Sequence, residues 1–401
     1  MKVRVDFSSF LISFYPVSWI LGISAIYLHT VILMGAFLNL SRESLLNVPR
    51  PVVFLVFYTI TYFLSLVLNY GNYSLDRAIA SLYNLSFWLI GILVILLVFH
   101  HFNLNIERLK RQSKFILTAI ATVGVFVLLS KNEPLIIRSL LGHMLNVDSF
   151  PQLVRDSIHL KIMSKDWFDG AQSVRNSLFS PYSTATAALS LMLFGIISIG
   201  ERVASLRFWF WVLLCFVAIL STYSRLVSVL FILYVLLLVI LNTKQKVLLT
   251  VSAVMMIFLL TPFLYDFFVI VNQMRQGSSN IRFSMYQQTI LHTFENNILF
   301  GVAVKDRGFY FIPLGSHSTY LGALLKTGLL GVTSLILYSA YFWKRFFSEM
   351  FKENSNPISR SLSPLLLLMT LFWAFEDIDA AQFLSVIYFL IVGIYLKGGK
   401  G

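Results

Sequence analysis

Apolar segments long enough to cross a bilayer recur along almost the whole chain, and this repetition constrains the fold more than any other feature. A membrane-spanning helix needs about 20 predominantly apolar residues, since lipid offers its backbone no hydrogen-bond partners. Hydrophobic residues make up 58% of the 401 positions and charged residues only 12%, which excludes an ordinary soluble domain. We therefore predict an all-α fold: a polytopic integral membrane helix bundle in which residues 1–401 form a single transmembrane domain. After a long first run, Phe7 to Leu40, the apolar segments lie at about 52–69, 77–99, 115–130, 182–199, 207–222, 225–241, 247–268, 317–342, 362–375 and 380–396.

Positive charge in the connections between these segments predicts their orientation, because cytoplasmic loops are rich in Lys and Arg. Basic clusters lie at 100–114, near 244 and at 343–360, and they alternate consistently as cytoplasmic connections. If Lys2 and Arg4 are also cytoplasmic, the first run is crossed twice and the chain has twelve transmembrane helices; if that run is one helix, there are eleven. Both counts leave two long loops on the outer face, residues 131–180 and the larger 272–316.

Several classes of function are excluded by what the chain lacks. Cys215 is the single cysteine, so the chain forms no internal disulfide and no thiolate metal site. No P-loop, dinucleotide-binding or HExxH pattern is present, and we expect neither a metal nor another cofactor. The net charge of +13 resides largely in loops, where membrane topology and anionic lipid headgroups account for it without nucleic acid. Membrane lipids are expected partners, and the chemistry falls to polar residues at the outer membrane boundary.

Two arginines lie at this boundary. The stretch "STYSR", residues 221–225, places Arg225 at the outer ends of two adjoining helices. The stretch "NIRFSMYQQTILHTFENN" has the pattern of an amphipathic helix with Arg282 in its first turn, where a cation is unfavourable unless an anion binds beside it. The simpler interpretations are a snorkelling Arg225 that anchors a helix end and a solvated Arg282. Lys305 and Arg307 follow downstream and either extend this positive surface or lie at its rim.

A single histidine begins the apolar stretch "GSHSTYLGALLKTGLLG", residues 315–331. We predict that Ser316 caps a helix here and that His317 is its first residue. Free backbone N–H groups and the helix dipole would then favour a bound anion and keep the imidazole neutral. The simpler interpretation is a histidine that only helps to cap the helix.

A fourth cluster, "RNSLFSPYSTATAAL" at 175–189, marks the return of the first outer loop to the membrane. Arg175 adds a third cation, and Tyr182 follows Pro181 at a helix start rich in Ser and Thr. Such a start suits sugar hydroxyls or merely satisfies its own backbone. The candidate substrate-binding residues are Arg175, Tyr182, Lys305, Arg307 and Ser318.

The order of these clusters resembles the O-antigen ligase and O-antigen polymerase family of bacterial membrane glycosyltransferases. The shared features are an Arg-Asn-Ser stretch before a helix, Ser-x-x-Ser-Arg at a helix break, Arg282 in the large outer loop, and His-Ser followed after nine residues by Gly-x-x-Gly. The last pattern, which contains Gly328 and Gly331, is the most specific. The resemblance covers residues 175–342, a family-like catalytic core.

The resemblance implies a bundle of about a dozen helices that works without a metal at the outer face of the inner membrane. Such proteins transfer a glycan from a polyprenyl-diphosphate carrier to an acceptor sugar. Carried over to this chain, Arg225 and Arg282 would hold the diphosphate and stabilise its leaving charge, and His317 would orient or activate the acceptor hydroxyl. Fixed guanidinium groups suit that task. The implied partners are the lipid-linked oligosaccharide, an acceptor glycan or lipid A core, a chain-length regulator and a flippase.

The chain departs from the family pattern at two positions. Lys326 stands where we expect an acidic residue; it lies inside the helix and needs a partner or a water-filled cavity. The outer turn "EDID" offers Glu376, Asp377 and Asp379 as candidate partners. Tyr182 stands where another polar residue is expected.

Polymerase and ligase share this site, and the alternatives differ in the acceptor. The compact form "PLGSHSTYLG" favours a polysaccharide polymerase of O-antigen or capsule, with O-antigen ligase as the alternative. A flippase or secondary transporter for lipid-linked sugars would keep ionisable residues near the membrane midplane on broken helices. Here the polar clusters, apart from Lys326, gather on one face. A third alternative, a non-catalytic scaffold for a polysaccharide assembly complex, would not explain the Arg and His residues at the outer membrane boundary.

Overall fold

Helices make up most of the computed structural model, which describes residues 7–101, 105–129, 133–145, 158–165, 174–243, 276–306, 312–352, 355–379 and 381–399. Five helices are long and apolar enough to cross a membrane, and six shorter apolar helices accompany them in the described residues. The helices are α1 (Phe7–Leu21), α2 (Ser24–Asn39), α3 (Arg42–Leu46), α4 (Arg50–Leu68), α5 (Leu75–His100), α6 (Ile106–Leu129), α7 (Leu140–Met144), α8 (Ser183–Ile197), α9 (Leu206–Leu220), α10 (Arg225–Leu241), α11 (Gln276–Asn296), α12 (Thr319–Met350), α13 (Pro357–Phe375) and α14 (Phe383–Gly398).

The long first apolar run forms two helices, α1 and α2, which pack against each other. The chain turns between them at Gly22, whose φ of +81° is a conformation that glycine adopts at little cost. This arrangement agrees with the two-helix interpretation of the run. The count of twelve membrane crossings stays a prediction, because the segment 247–268 lies outside the described residues.

The basic residues at 108–114 do not form a loop as predicted, because α6 begins at Ile106 and includes them. Two of these four basic residues have carboxylate partners at this end of the bundle, and the other two are exposed, so the helix can include them. The Lys110 ammonium is 2.9 Å from the Glu107 carboxylate, and the Lys114 ammonium is 3.7 Å from that of Glu201.

The prediction of an all-α fold is wrong in one region, since the first outer loop contains a three-stranded antiparallel sheet in the order β1, β2, β3. The strands are β1 (Leu135–Arg138), β2 (His159–Lys165) and β3 (Val174–Asn176). In β2, Leu160 and Met163 are buried; they are three positions apart, so each face of the strand has one buried apolar side chain. The sheet places Arg175 directly opposite Ser164.

One continuous apolar core runs through the bundle. α12 packs against α4, α11 and α13, while α14 packs against α5. Large apolar side chains also cover the outside of the bundle: Phe37 and Leu206 are 88% and 90% exposed. A surface of this kind is unfavourable in water and suits lipid, so the chain is an integral membrane protein.

Candidate active site

The polar site is built around an interruption in α12. Gly328 has φ 61° and ψ −160°, a backbone conformation that ends one helical segment and starts the next. The backbone of residues 298–303 fills the gap. The N–H groups of Val302 and Ala303 donate to the carbonyls of Leu325 and Lys326 at 2.7 and 3.1 Å. The freed backbone groups of the broken helix are thereby satisfied within the protein.

The close approach of these two segments requires glycine on both sides. A Cβ on Gly301 would lie 2.4 Å from the Leu325 carbonyl oxygen, and one on Gly328 would lie 2.3 Å from the Leu299 carbonyl carbon. Both glycines also have positive φ, 68° and 61°. Gly328, the first glycine of the Gly-x-x-Gly pattern, and Gly301 therefore allow the broken helix and its backbone partner to meet.

The start of α12 differs from the prediction by two residues. Ser318, not Ser316, is the N-cap: its side chain accepts a hydrogen bond from the Leu321 N–H at 3.2 Å. His317 precedes the helix, with φ 68°, and its carbonyl accepts a hydrogen bond from the Tyr286 hydroxyl at 2.9 Å. Ser316 instead donates to the carbonyl of Pro313 at 2.5 Å, so it stabilises the preceding turn.

The acidic turn at 376–379 joins this helix start to the end of α13. The Thr319 hydroxyl donates to the Glu376 carbonyl at 2.9 Å and accepts from the Ile378 N–H at 3.2 Å. The Thr319 N–H also donates to the Glu376 carbonyl, at 3.2 Å. His317 and the acidic turn are thus held in one rigid arrangement.

Arg282 meets this turn through its side chain. One guanidinium nitrogen is 3.1 Å from the Glu376 carboxylate, and the Arg282 side chain remains 36% exposed. Burial raises the pKa of Glu376, although Arg282 favours its charged form. The predicted position of Arg282 is wrong: α11 begins at Gln276, so Arg282 lies in its second turn, and the anion that accounts for it here is a carboxylate of the protein.

Two lysines share the remaining carboxylates. Lys326 contacts Asp379, as the sequence suggested, and Lys305 contacts Asp377 and lies 2.9 Å from Asp379. The indole N–H of Trp88 donates to Asp379 at 3.2 Å. Although burial alone would raise the pKa of Asp379, the two lysines hold it below its ordinary value. Buried charges need such partners, so we infer that Lys305 and Lys326 mainly position this turn.

His317 lies in the field of this cluster. Burial, together with the positive charges of Arg282 and Lys305, lowers the pKa of His317 from 6.5 to about 4. The imidazole is therefore neutral at physiological pH, as predicted, but the causes are burial and nearby cations, and His317 is not a residue of the helix. A neutral imidazole is able to accept a proton or a hydrogen bond.

A second group of candidate residues, Arg175 and Arg225, lies on β3 and at the start of α10, two segments that hydrogen bonds between Asn176 and Ser221 join. Arg225 is exposed and begins α10, as the sequence predicts. Next to the buried Arg175, the Asn176 N–H donates to the Ser221 carbonyl at 3.0 Å and its side-chain amide donates to the Ser221 hydroxyl at 3.1 Å. Tyr182 contacts the acidic turn, since its hydroxyl donates to the Asp377 carbonyl at 2.6 Å. Arg307 lies outside the described residues.

Part of the chain is similar to a known protein family. Residues 210–336 match the family model described as O-antigen ligase. These residues therefore form a region similar to the O-antigen ligase family, named here the O-antigen ligase region. This match confirms the resemblance found in the sequence. No curated protein matches the chain.

The O-antigen ligase region runs from α9 into α12. It contains Arg225, Arg282, His317 and Gly328, whereas Arg175 and the acidic turn lie outside it. In the ranges that the structure describes, no group of three or more His, Cys, Asp or Glu side chains is arranged to hold a metal ion. The cations that act on the pKa of His317 are Arg282 and Lys305.

Three functional contacts were not predicted from the sequence. In the sequence, Glu376 is a candidate partner only for Lys326. Arg282 and Glu376 are 94 positions apart, so no local pattern indicates that they pair. Gly301 carried no signal that it would face the break in α12. Tyr286 had a usable signal, because a residue four positions after Arg282 lies on the same helix face.

Proposed function

We propose that this protein transfers a glycan from a polyprenyl-diphosphate carrier to an acceptor sugar at the outer face of the bacterial inner membrane, as a polysaccharide polymerase. One observation carries the proposal: within the O-antigen ligase region, Tyr286, which is one turn after Arg282 on α11, donates to the His317 carbonyl at 2.9 Å and so brings His317 to the helix that carries Arg282. A proton acceptor next to a fixed cation is the pair of groups that glycosyl transfer to a hydroxyl requires.

The reaction would divide between these two residues. As the acceptor hydroxyl attacks the anomeric carbon, the bond from that carbon to the diphosphate oxygen breaks and the hydroxyl proton passes to His317. The electron pair leaves with the diphosphate, whose growing negative charge Arg282 stabilises. Glu376 contacts one guanidinium nitrogen, and the exposed part of Arg282 would bind the diphosphate.

The second group would bind the same donor. Arg225 is exposed at the start of α10, where its charge and the free N–H groups of the first turn favour a phosphate. We assign Arg225 to the diphosphate, and Arg175 and Tyr182 to the wall of the site. Ser318 caps α12 and so orients His317 more than it contacts sugar.

The identity of the acceptor separates two candidate functions. The compact sequence around His317 favours a polymerase, which adds the chain to another lipid-linked repeat unit. The description of the matched family favours an O-antigen ligase, which would add the glycan to lipid A core. Both require the donor site proposed above.

A transporter fits the broken helix less well. In secondary transporters, unwound backbone groups at a helix break face the substrate or coupling ion. Here the carbonyls of Leu325 and Lys326 and the N–H groups of Leu329 and Leu330 are bonded to residues 298–303. The break therefore joins two parts of the protein and leaves these groups no role in binding cargo.

The donor chemistry is tested with purified protein and a synthetic lipid-linked glycan in the presence of EDTA. We expect His317→Ala, Arg282→Lys and Arg225→Lys each to lose about 100-fold or more in turnover, since an ammonium does not replace a planar guanidinium. Arg111→Lys, at the opposite end of the bundle, is the matched control and should turn over normally. Near-normal turnover by His317→Ala at wild-type expression would place the active site elsewhere.

The acceptor is tested by the glycans of a deletion strain. Loss of a polymerase leaves single repeat units on lipid A core, or no capsule. Loss of a ligase leaves long chains on the polyprenyl carrier. Stranded long chains would replace the polymerase assignment with the ligase assignment while keeping the donor chemistry.

A further inference from the structure

A second polar cavity lies at the other end of α12, far from His317. His317 precedes the first residue of α12, whereas the cavity is lined by the last turns of that helix and by the ends of α4, α13 and α14. Its volume is about 570 Å³. The lining residues that matter here are Arg50, Tyr341, Lys344, Arg345, Glu349 and Lys352.

The charge of this cavity is strongly positive. Lys352 is 2.6 Å from Glu349, so these two largely cancel. Arg50, Lys344 and Arg345 remain, and none of them pairs with a carboxylate within the described part of the chain. The Arg345 Nε donates to the Tyr341 hydroxyl at 3.2 Å, and its guanidinium lies 5.5 Å from the Tyr341 ring centre. That contact orients the guanidinium and leaves its outer nitrogens for an anion.

Backbone charge adds to the side chains. Pro49 and Asn356, the N-caps of α4 and α13, both line the cavity, so two helices of 19 residues each present their positive ends to it. A phosphate group satisfies such a combination of guanidinium, ammonium and helix N-termini.

One carboxylate oxygen specifies a further feature of the ligand. Glu349 is 5% exposed, and its Oε2 atom has no hydrogen-bond partner, while Oε1 is bonded to Lys352. A buried carboxylate oxygen needs a donor. A hydroxyl group on the bound molecule would supply it. The ligand thus combines a phosphate with a hydroxyl.

The surroundings indicate that this ligand is a lipid. Phe347, in the last turns of α12, and Phe351, which caps that helix, do not line the cavity but lie in the same stretch of chain as its lining residues, and they are 51% and 78% exposed. Apolar side chains next to a basic pocket between transmembrane helices provide a surface for acyl chains. The basic residues of 343–360, which the sequence suggested were a loop, lie mainly in the end of α12 and the start of α13, and their positive charge predicts that this end of the bundle faces the cytoplasm.

We propose that this cavity binds the headgroup of an anionic phospholipid whose phosphodiester carries a free hydroxyl, as in phosphatidylglycerol. The phosphate contacts Arg50, Lys344 and Arg345, and the hydroxyl donates to Glu349. The site is independent of glycan transfer, because its residues lie at the opposite end of α12 from His317.

The test measures binding of phosphatidylglycerol to the purified full-length protein in detergent, by native mass spectrometry and by thermal stabilisation. Phosphatidylethanolamine, phosphatidylcholine and glycerol phosphate are titrated in parallel. Lys344→Gln combined with Arg345→Gln should weaken phosphatidylglycerol binding about tenfold or more. The matched control, Arg108→Gln with Arg111→Gln, removes two exposed charges from the same face and should leave binding unchanged.

Glu349→Gln distinguishes the chemistry of the headgroup. It removes a negative charge but keeps an oxygen that accepts from a hydroxyl, so phosphatidylglycerol should bind at least as tightly as to the wild type. Weaker phosphatidylglycerol binding by this variant, or a preference of the wild-type protein for phosphatidylethanolamine, would overturn the assignment. Equal losses in the control variant, or full stabilisation by glycerol phosphate alone, would also overturn it, since the first indicates general surface charge and the second a site for a soluble anion.

Discussion

Three causes together lower the pKa of the His317 imidazole to about 4: its burial and the positive charges of Arg282 and Lys305. If His317 accepts the acceptor proton, turnover should stay constant from about pH 8 to pH 5 and fall as the pH approaches 4. A pH profile of single-turnover transfer measures this. A fall with its midpoint near 6.5 would contradict a perturbed histidine.

The same pKa shift has a defined effect on stability. Unfolded protein protonates this histidine below about pH 6.5, whereas the folded protein does so only near 4. Its stabilising contribution is therefore complete above pH 6.5 and decreases as the pH falls toward 4.

Lys305→Gln removes one of the two cations and should move the fall in turnover to higher pH, which provides a control on the assignment.

Glu376 contacts the Arg282 guanidinium, and we expect it to act by positioning Arg282. Glu376→Ala removes the 3.1 Å contact to the guanidinium and should lower kcat roughly tenfold or more, while Glu376→Gln keeps an acceptor oxygen there and should recover most of it. Steady-state kinetics with the lipid-linked donor separate the effect on kcat from that on KM. Equal impairment of the two variants would show that the charge of Glu376, not its placement of Arg282, is required.

At the scale of elements, the interruption of α12 is the feature on which the site depends. It allows residues 298–303 to bond to the helix, and the same segment continues into Lys305. Asn69 and Ser81 also donate to the carbonyls of Gly301 and Ala303, at 3.1 and 3.0 Å, and so attach this segment to α4 and α5. The outer loop is thereby built into the bundle.

Gly328→Ala tests this arrangement. The new Cβ would lie 2.3 Å from the Leu299 backbone. The positive φ of residue 328 adds a strain of about 1–3 kcal/mol for any residue other than glycine. We expect a clear drop in the thermal unfolding temperature of the purified protein and loss of transfer. Gly200→Ala is the matched control, since Gly200 also has positive φ, 70°, but open space around it. If both variants lose the same stability, backbone strain alone accounts for the effect and the close contact adds nothing.

At the scale of the whole molecule, the orientation in the membrane is the prediction with the widest consequences. Single cysteines introduced in a Cys215→Ser background report it, because the buried Cys215 contacts the Ser190 carbonyl, a contact that a serine hydroxyl retains. Glu295→Cys should be labelled from outside, and Arg111→Cys and Lys352→Cys only from the cytoplasm. Labelling of residue 295 only from the cytoplasmic side would reverse the orientation and the face on which transfer occurs.

The sequence by itself determined that this chain is a helical membrane protein, where most helices lie, and which family its core resembles. Membrane insertion depends on single apolar segments and orientation on the charge of the connections beside them, so both can be predicted from short stretches of sequence. Arg225 at a helix start and Lys326 with an acidic partner were predicted for the same reason: each needs only its immediate surroundings to be recognised.

Only the tertiary structure decided how the site is assembled. Glu376 beside Arg282, the backbone of residues 298–303 in the gap of α12, and the sheet of the first outer loop all join residues distant in the chain. The position of His317 outside the helix likewise follows from contacts with Tyr286 and the acidic turn, because Ser316 and Ser318 are equally good caps by residue type. Tertiary contacts therefore determine which of two locally equivalent serines caps the helix.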